Sequence, residues 1–166
     1  MNILVTLNAK YLVALKVMLK SLFVNNPGES FHIYLMHSSI PDEDIAGLNR
    51  RIASEGHRLS VIRLQEEWFQ NAPVVKHYSK EMYYRLLAFK FLPPELDKIL
   101  YLDPDIIVIN PIRKLYDTDI EDYLFAAAFH AVTGTPMVRM TTAAGKTELA
   151  FFRETLELHG LSPARF

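Results

Sequence analysis

Ile99-Leu-Tyr-Leu-Asp103-Pro-Asp105-Ile-Ile-Val-Ile109 is the stretch on which the reading of this chain turns. Two carboxylates occupy the one polar break between two apolar runs, each with the composition of a buried strand. In an extended backbone residues i and i+2 point to the same face, so Asp103 and Asp105 can converge on one point. Pro104 holds its own φ near about −65° and biases Asp103 toward extended backbone. Paired carboxylates repel unless a cation or a shared proton resolves the conflict. A hard divalent ion, Mn²⁺ or Mg²⁺, does this with oxygen ligands and keeps positions open for phosphate oxygens. The carboxyl end of a strand is also where open α/β sheets bind ligands. Asp-Pro-Asp is a common surface turn as well, its Asp side chains bonding nearby N–H groups. The apolar runs on both sides favour the buried strand pair.

Outward from this stretch, the composition narrows the class. At 166 residues the chain predicts one domain able to bury about 70% of its unfolded surface. Half the residues are apolar and 22% are charged, which excludes a disordered protein. A net charge of −1 with scattered Lys and Arg argues against a nucleic-acid partner. Cysteine is absent, so neither a disulfide framework nor a thiolate metal site can form. The six histidines show no metal-ligand spacing. No basic leader or unbroken apolar span is present, and the expectation is a cytoplasmic protein that does not cross a membrane.

The pattern upstream reads as alternating strands and helices. Asn2 to Leu7 is a β-rich run. Leu12, Leu15, Leu19, Leu22 and Phe23 then recur at helical spacing until Asn25-Asn26-Pro27-Gly28 stops them. Phe31 to His37 predicts a second strand. Pro41-Asp42-Glu43-Asp44 opens a helix with Ile45, Leu48 and Ile52 on its buried stripe and Gly56 at its end. Arg58 to Leu64 predicts a third strand. Strand–helix–strand–helix–strand at this spacing implies an α/β fold with a mainly parallel sheet flanked by helices. A loop is expected around Trp68 to Val75, a helix over Lys80 to Leu92, and a later strand over Tyr123 to Phe129. The loop after Leu7 has no glycine, which argues against a Gly-x-Gly-x-x-Gly dinucleotide turn.

With these elements placed, the chain resembles the family-8 retaining glycosyltransferases, which take a hexose from a UDP-sugar. The resemblance rests on NILVTLNAKYLVALKVMLKSLFVNNPG near the start and KEMYYRLLAFKFLPPELDKILYLDPDIIVINPIRKLY in the middle, in that order. It implies an A-type nucleotide-binding domain over residues 1–129. It also implies that Asp103 and Asp105 hold Mn²⁺ or Mg²⁺ against the diphosphate, with Asp103 also near the ribose and Leu102 among the nucleotide-sugar-binding residues. Arg85 matches the family arginine beside the donor sugar and phosphates, and Thr6, Leu7, Asn8 and Tyr11 match the loop that cradles uridine. Tyr11 offers a ring on which a base could stack, or a helix-start aromatic for the core. Arg85 could fork onto phosphate oxygens, or be an ordinary solvated helix arginine.

The chain departs from the family pattern at Asn8, where an aspartate is common, and at Lys10, where an asparagine is common. From residue 130 onward the family's Asn-x-Gly segment and distal histidine are not found. Residues 130–166 therefore predict a divergent tail, helical over Lys146 to His159, on a truncated or frame-altered copy. Its implied partners are a UDP-sugar donor and a glycan or lipid-linked acceptor, with self-association through uncovered apolar surface. The expectation is donor binding with little turnover, and a non-catalytic remnant is the alternative. A haloacid-dehalogenase-type phosphatase also places Asp-x-Asp after an apolar strand, but its later acidic pair is missing here.

Overall fold

A computed structural model describes residues 1–65, 84–85, 88–120, 123–128, 137–142 and 147–151. The chain divides into two compact units, Met1–Asp117 and Thr118–Phe166. The first holds strands β1 (Asn2–Thr6), β2 (His32–His37), β3 (Arg58–Arg63) and β4 (Leu100–Tyr101), with helices α1 (Leu12–Asn25), α2 (Asp42–Ser54) and α3 (Arg113–Tyr116). The four strands lie in the order β3-β2-β1-β4, and every neighbouring pair is parallel. This is the α/β sheet that the alternating pattern predicts.

Strand alternation sorts the sheet's side chains into two cores. Ile3, Val5, Ile33 and Leu35 join Leu12, Leu15, Met18, Leu19 and Leu22 of α1 and Leu48 and Ile52 of α2. Leu4, Tyr34 and Met36, the intervening residues, join Leu64, Tyr84 and Ala88, with Leu92 and Tyr101 packed against them. β1 is thus apolar on both faces because both are covered, as a central parallel strand requires. α1 ends where Asn26-Pro27-Gly28 predicts, and Gly28 takes φ 82°, a conformation that glycine adopts without strain. In α2, Asp42, Glu43 and Asp44 fill the first turn, where unpaired N–H groups and the helix dipole favour acids.

The segment after the motif differs from expectation. Ile106 to Ile109 is not a strand: Ile106, Ile107 and Ile109 are exposed, and Val108 alone of the four is buried. Its main chain is held by α1 instead of by a sheet. The Ser21 hydroxyl accepts from the Val108 N–H at 2.9 Å, and Asn25 Nδ2 donates to the Val108 carbonyl at 2.9 Å. Asn26, buried, donates to the Leu22 carbonyl at 2.8 Å and accepts from the Ile112 N–H at 2.7 Å. The polar side chains at the end of α1 satisfy backbone groups that a neighbouring strand would otherwise satisfy.

Two other expectations meet the structure only in part. The Trp68–Val75 loop lies outside the described residues, as does most of the Lys80–Leu92 helix; residues 84–85 and 88–90 are in 3-10 turns. The second unit carries an antiparallel sheet, β5 (Tyr123–Ala128), β6 (Met137–Thr142) and β7 (Thr147–Phe151), in that order. β5 falls where a strand is predicted. β7 falls inside the stretch whose spacing predicts a helix, and pairing with β6 overrides that local periodicity. The boundary between units lies at Asp117/Thr118, whereas the sequence places the divide near residue 129.

Asn26 is a sensitive point, since Asn26→Ala strands a buried N–H and a helix carbonyl together. A loss of roughly 2–4 kcal/mol in urea denaturation is expected from two unsatisfied groups. Three histidines of this unit, His32, His37 and His57, have pKa values lowered chiefly by burial, His37 also by Arg63. Unfolded chains bind their protons more readily, so stability is full above the unfolded value of about 6.5 and falls as pH drops below it. Thermal midpoints across pH 8 to 5 check this. His37→Gln should flatten part of the decline, because the fully buried His37 accepts the Ile40 N–H through Nδ1 at 3.1 Å.

Candidate functional site

The carboxyl ends of β1 and β4 bring Thr6, Tyr101 and Asp103 together. Ile3 pairs with Leu100 and Leu4 with Tyr101, and the Leu102 N–H extends the ladder by donating to the Leu4 carbonyl at 3.0 Å. β4 itself ends at Tyr101, and the chain turns at Pro104 and Asp105. The expectation of an extended backbone through both acids is corrected accordingly: a turn carries Asp105, and buried Pro104 anchors it between two exposed carboxylates.

Alternation still governs the residues before that turn. Leu102 packs into the first core, 8% exposed, while Tyr101 lies against the second. Asp103 follows Tyr101 onto the same side. The Tyr101 hydroxyl donates to Asp103 Oδ1 at 2.7 Å and lies 3.3 Å from Thr6 Oγ1. The Arg85 guanidinium carbon sits 5.1 Å from the Tyr101 ring centroid, and Arg85 Nη1 is 3.7 Å from Asp103 Oδ1. This is a cation over an aromatic face, with a carboxylate beside it. Burial pushes the Tyr101 phenol above its usual range; the Thr6 bond opposes the rise, and the bond to Asp103 adds to it. Tyr101 therefore stays protonated and acts as a donor. Among the described residues, Asp105 makes no side-chain hydrogen bond or ion pair.

The other sequence-predicted residues separate by side-chain role. The Leu7 side chain is core, 2% exposed, and its N–H donates to the Met36 carbonyl at 3.3 Å, so only its carbonyl is left for a ligand. Leu102 is core too; neither leucine contributes a side chain to the site. Asn8 caps the 3-10 turn Ala9–Tyr11, accepting the Lys10 N–H through Oδ1 at 3.0 Å. Tyr11 is exposed rather than packed in the core. Tyr101 is the residue that sequence reasoning missed. Its signal was available: it stands two residues before Asp103, on the same strand face.

The donor set suits a hard divalent cation. Two exposed carboxylates flank one anchored turn, with an arginine near one of them and, among the described residues, no imidazole; the chain has no cysteine to supply a thiolate. Among the described residues no group of three or more His, Cys, Asp or Glu gathers at one point. The protein would supply two carboxylates, and phosphate oxygens and water the remaining ligands.

This parallel sheet flanked by helices, with two carboxylates just past the end of β4, is the A-type glycosyltransferase fold. A solved structure of the galactosyltransferase LgtC, in complex with donor and acceptor sugar analogues, superposes with a TM-score of 0.68. It is 27% identical and covers 74% of this chain and 44% of that one. The profile of glycosyl transferase family 8 matches residues 2–150, and the chain belongs to that family. The match runs past residue 129, beyond the point where the resemblance read from motifs stopped. The glycosyltransferase GlyF of Streptococcus pneumoniae is 27% identical over 126 residues, 76% of this chain and 31% of that protein. A lipopolysaccharide 1,2-glucosyltransferase of Escherichia coli is 27% identical over 115 residues, 69% of this chain and 34% of that protein. The chain spans about a third of the length of these two relatives. None of the described helices is long and apolar enough to cross a membrane.

Asn8 offers a local test of the loop. Asn8→Ala should lose about 1 kcal/mol through the missing cap, whereas Asn8→Asp keeps an acceptor at the same place and should stay within a few tenths. Chemical denaturation of the two variants distinguishes them.

Proposed function

We propose that this chain binds a UDP-hexose through a divalent cation held by Asp103 and Asp105, and serves transfer of the hexose, with retention, to an acceptor hydroxyl. In that reaction the bond between the anomeric carbon and the β-phosphate oxygen breaks. A bond from the acceptor oxygen forms on the same face, and the hydroxyl proton is given up. UDP leaves with added negative charge on its diphosphate. A divalent cation at the two carboxylates offsets that charge as a Lewis acid.

The chain's own residues have separate tasks. Arg85, close to Asp103 and one-third exposed, can swing from the carboxylate to a phosphate oxygen. The Asn8–Tyr11 loop, at the end of β1, offers the exposed Tyr11 ring for a base to stack on. Tyr101 and Thr6 fix the near side of the pocket. The acceptor is taken to be a glycan or a lipid-linked sugar, as the name of the lipopolysaccharide-modifying relative suggests. The observation that carries this reading is the joining of Thr6, Arg85, Tyr101 and Asp103 at one strand end.

Calorimetric titration with UDP, with and without Mn²⁺, tests it. Mn²⁺ should tighten UDP binding, and Asp103→Asn or Asp105→Asn should abolish most of that gain, at least about tenfold, with the thermal midpoint little changed. Equal UDP affinity with and without Mn²⁺, in folded wild-type protein, would overturn the reading.

A further inference from the structure

The hydrogens around Tyr101 run in one direction. An ionised carboxylate only accepts, so the phenol proton must go to Asp103 Oδ1 at 2.7 Å. The phenol oxygen then has only acceptor capacity left, and the 3.3 Å contact is a donation from the Thr6 hydroxyl. A chain of donors runs from β1 through β4 to the acidic turn. Both neighbours of the Asp103 carboxylate, the phenol and Arg85 Nη1, gather on Oδ1. Among the described residues nothing engages Oδ2.

We propose that Tyr101 is a positioning residue, whose hydroxyl ties Asp103 Oδ1 to β1 and presents Oδ2 as the one oxygen this carboxylate offers to a cation. The inference rests on the reading of Asp103 as a metal ligand. Asp103 is more than half exposed, and an untethered side chain there would sample several rotamers. Tyr101 is not free in this way, because its backbone is in register with Leu4 and its ring lies against the second core. A neutral donor suits the task. It orients the carboxylate and leaves its full negative charge for the cation, whereas an arginine competes with the cation for it. Thr6 in turn fixes the phenol, which could otherwise rotate its proton elsewhere.

Tyr101→Phe keeps the ring under Arg85 and removes only the hydroxyl; Thr6→Val removes the first donor of the chain. UDP binding is measured by calorimetry with and without Mn²⁺, and Mn²⁺ binding alone from the electron paramagnetic resonance of the free ion. In Tyr101→Phe, Mn²⁺-dependent UDP binding and Mn²⁺ binding should each weaken about tenfold. UDP binding without metal should weaken much less than binding with it. Thr6→Val should give a smaller loss of the same kind and add nothing in the double variant. The tether is also read without metal or nucleotide, from the Asp103 carboxyl ¹³C resonance, which should move in Tyr101→Phe. Wild-type Mn²⁺ response in Tyr101→Phe, beside its loss in Asp103→Asn, would overturn the proposal, as would an equal loss with and without Mn²⁺. Should wild-type protein show no metal-dependent UDP binding, the functional reading falls by itself. The carboxyl resonance then decides the tether, and an unmoved signal in Tyr101→Phe refutes it.

Discussion

Two residue pairs, Ile3 with Leu100 and Leu4 with Tyr101, join the start of the chain to its acidic motif. β1 is buried on both faces and already pairs with β2 along one edge. Its other edge carries backbone groups that must find partners inside the protein, because an unpaired buried N–H or C=O is costly. β4 supplies those partners, and the Leu102 N–H adds one more bond. The short ladder therefore does more than close the sheet. It sets Tyr101 beside Thr6, about a hundred residues away in sequence, and the hydrogen bonds from Thr6 through Tyr101 to Asp103 follow from that register.

The same register divides labour along each strand. In β1, Ile3 and Val5 belong to the core with α1 and α2, while Leu4 and Thr6 face the other way. In the motif, Leu102 sinks into the first core and Tyr101 and Asp103 turn to the second side. One face of the sheet thus spends its residues on burial by helices. The other grades from apolar, at Leu4 and Tyr34, to polar, at Thr6 and Asp103, as it nears the strand ends. A single-residue slip of β4 would exchange Tyr101 for Leu102 and leave the acid with no donor.

Past the motif the chain changes its means of support. Ile106 to Ile109 has the composition of a buried strand, yet its backbone is held by Ser21 and Asn25 and its neighbour Ile112 by Asn26. The Asn25-Asn26 pair thus has two roles. It ends α1, where a helix stop was expected, and it also receives a segment more than eighty residues further on. That second role left no trace in local patterning. A side chain hydrogen-bonding a distant backbone group has no period, and only the approach of the two segments reveals it.

The sequence alone carried the first half of the fold with little loss. Apolar spacing in α1, the acidic first turn of α2 and the β-branched runs of β1 to β3 are local signals, set by propensity and periodicity. It also carried the acidic pair and Arg85 as candidates, through residue types in a resembled order. It could not say that Leu7 and Leu102 turn their side chains inward, that Ile106 to Ile109 goes unpaired, or that the stretch beginning at Lys146 includes a strand. Those outcomes depend on which backbone edge finds a partner, and edges compete across the whole chain. Nor could it single out Tyr101 from the seven other tyrosines. Its phenol matters because parallel pairing with β1 places it between a threonine and a carboxylate, and that juxtaposition exists only in the folded protein.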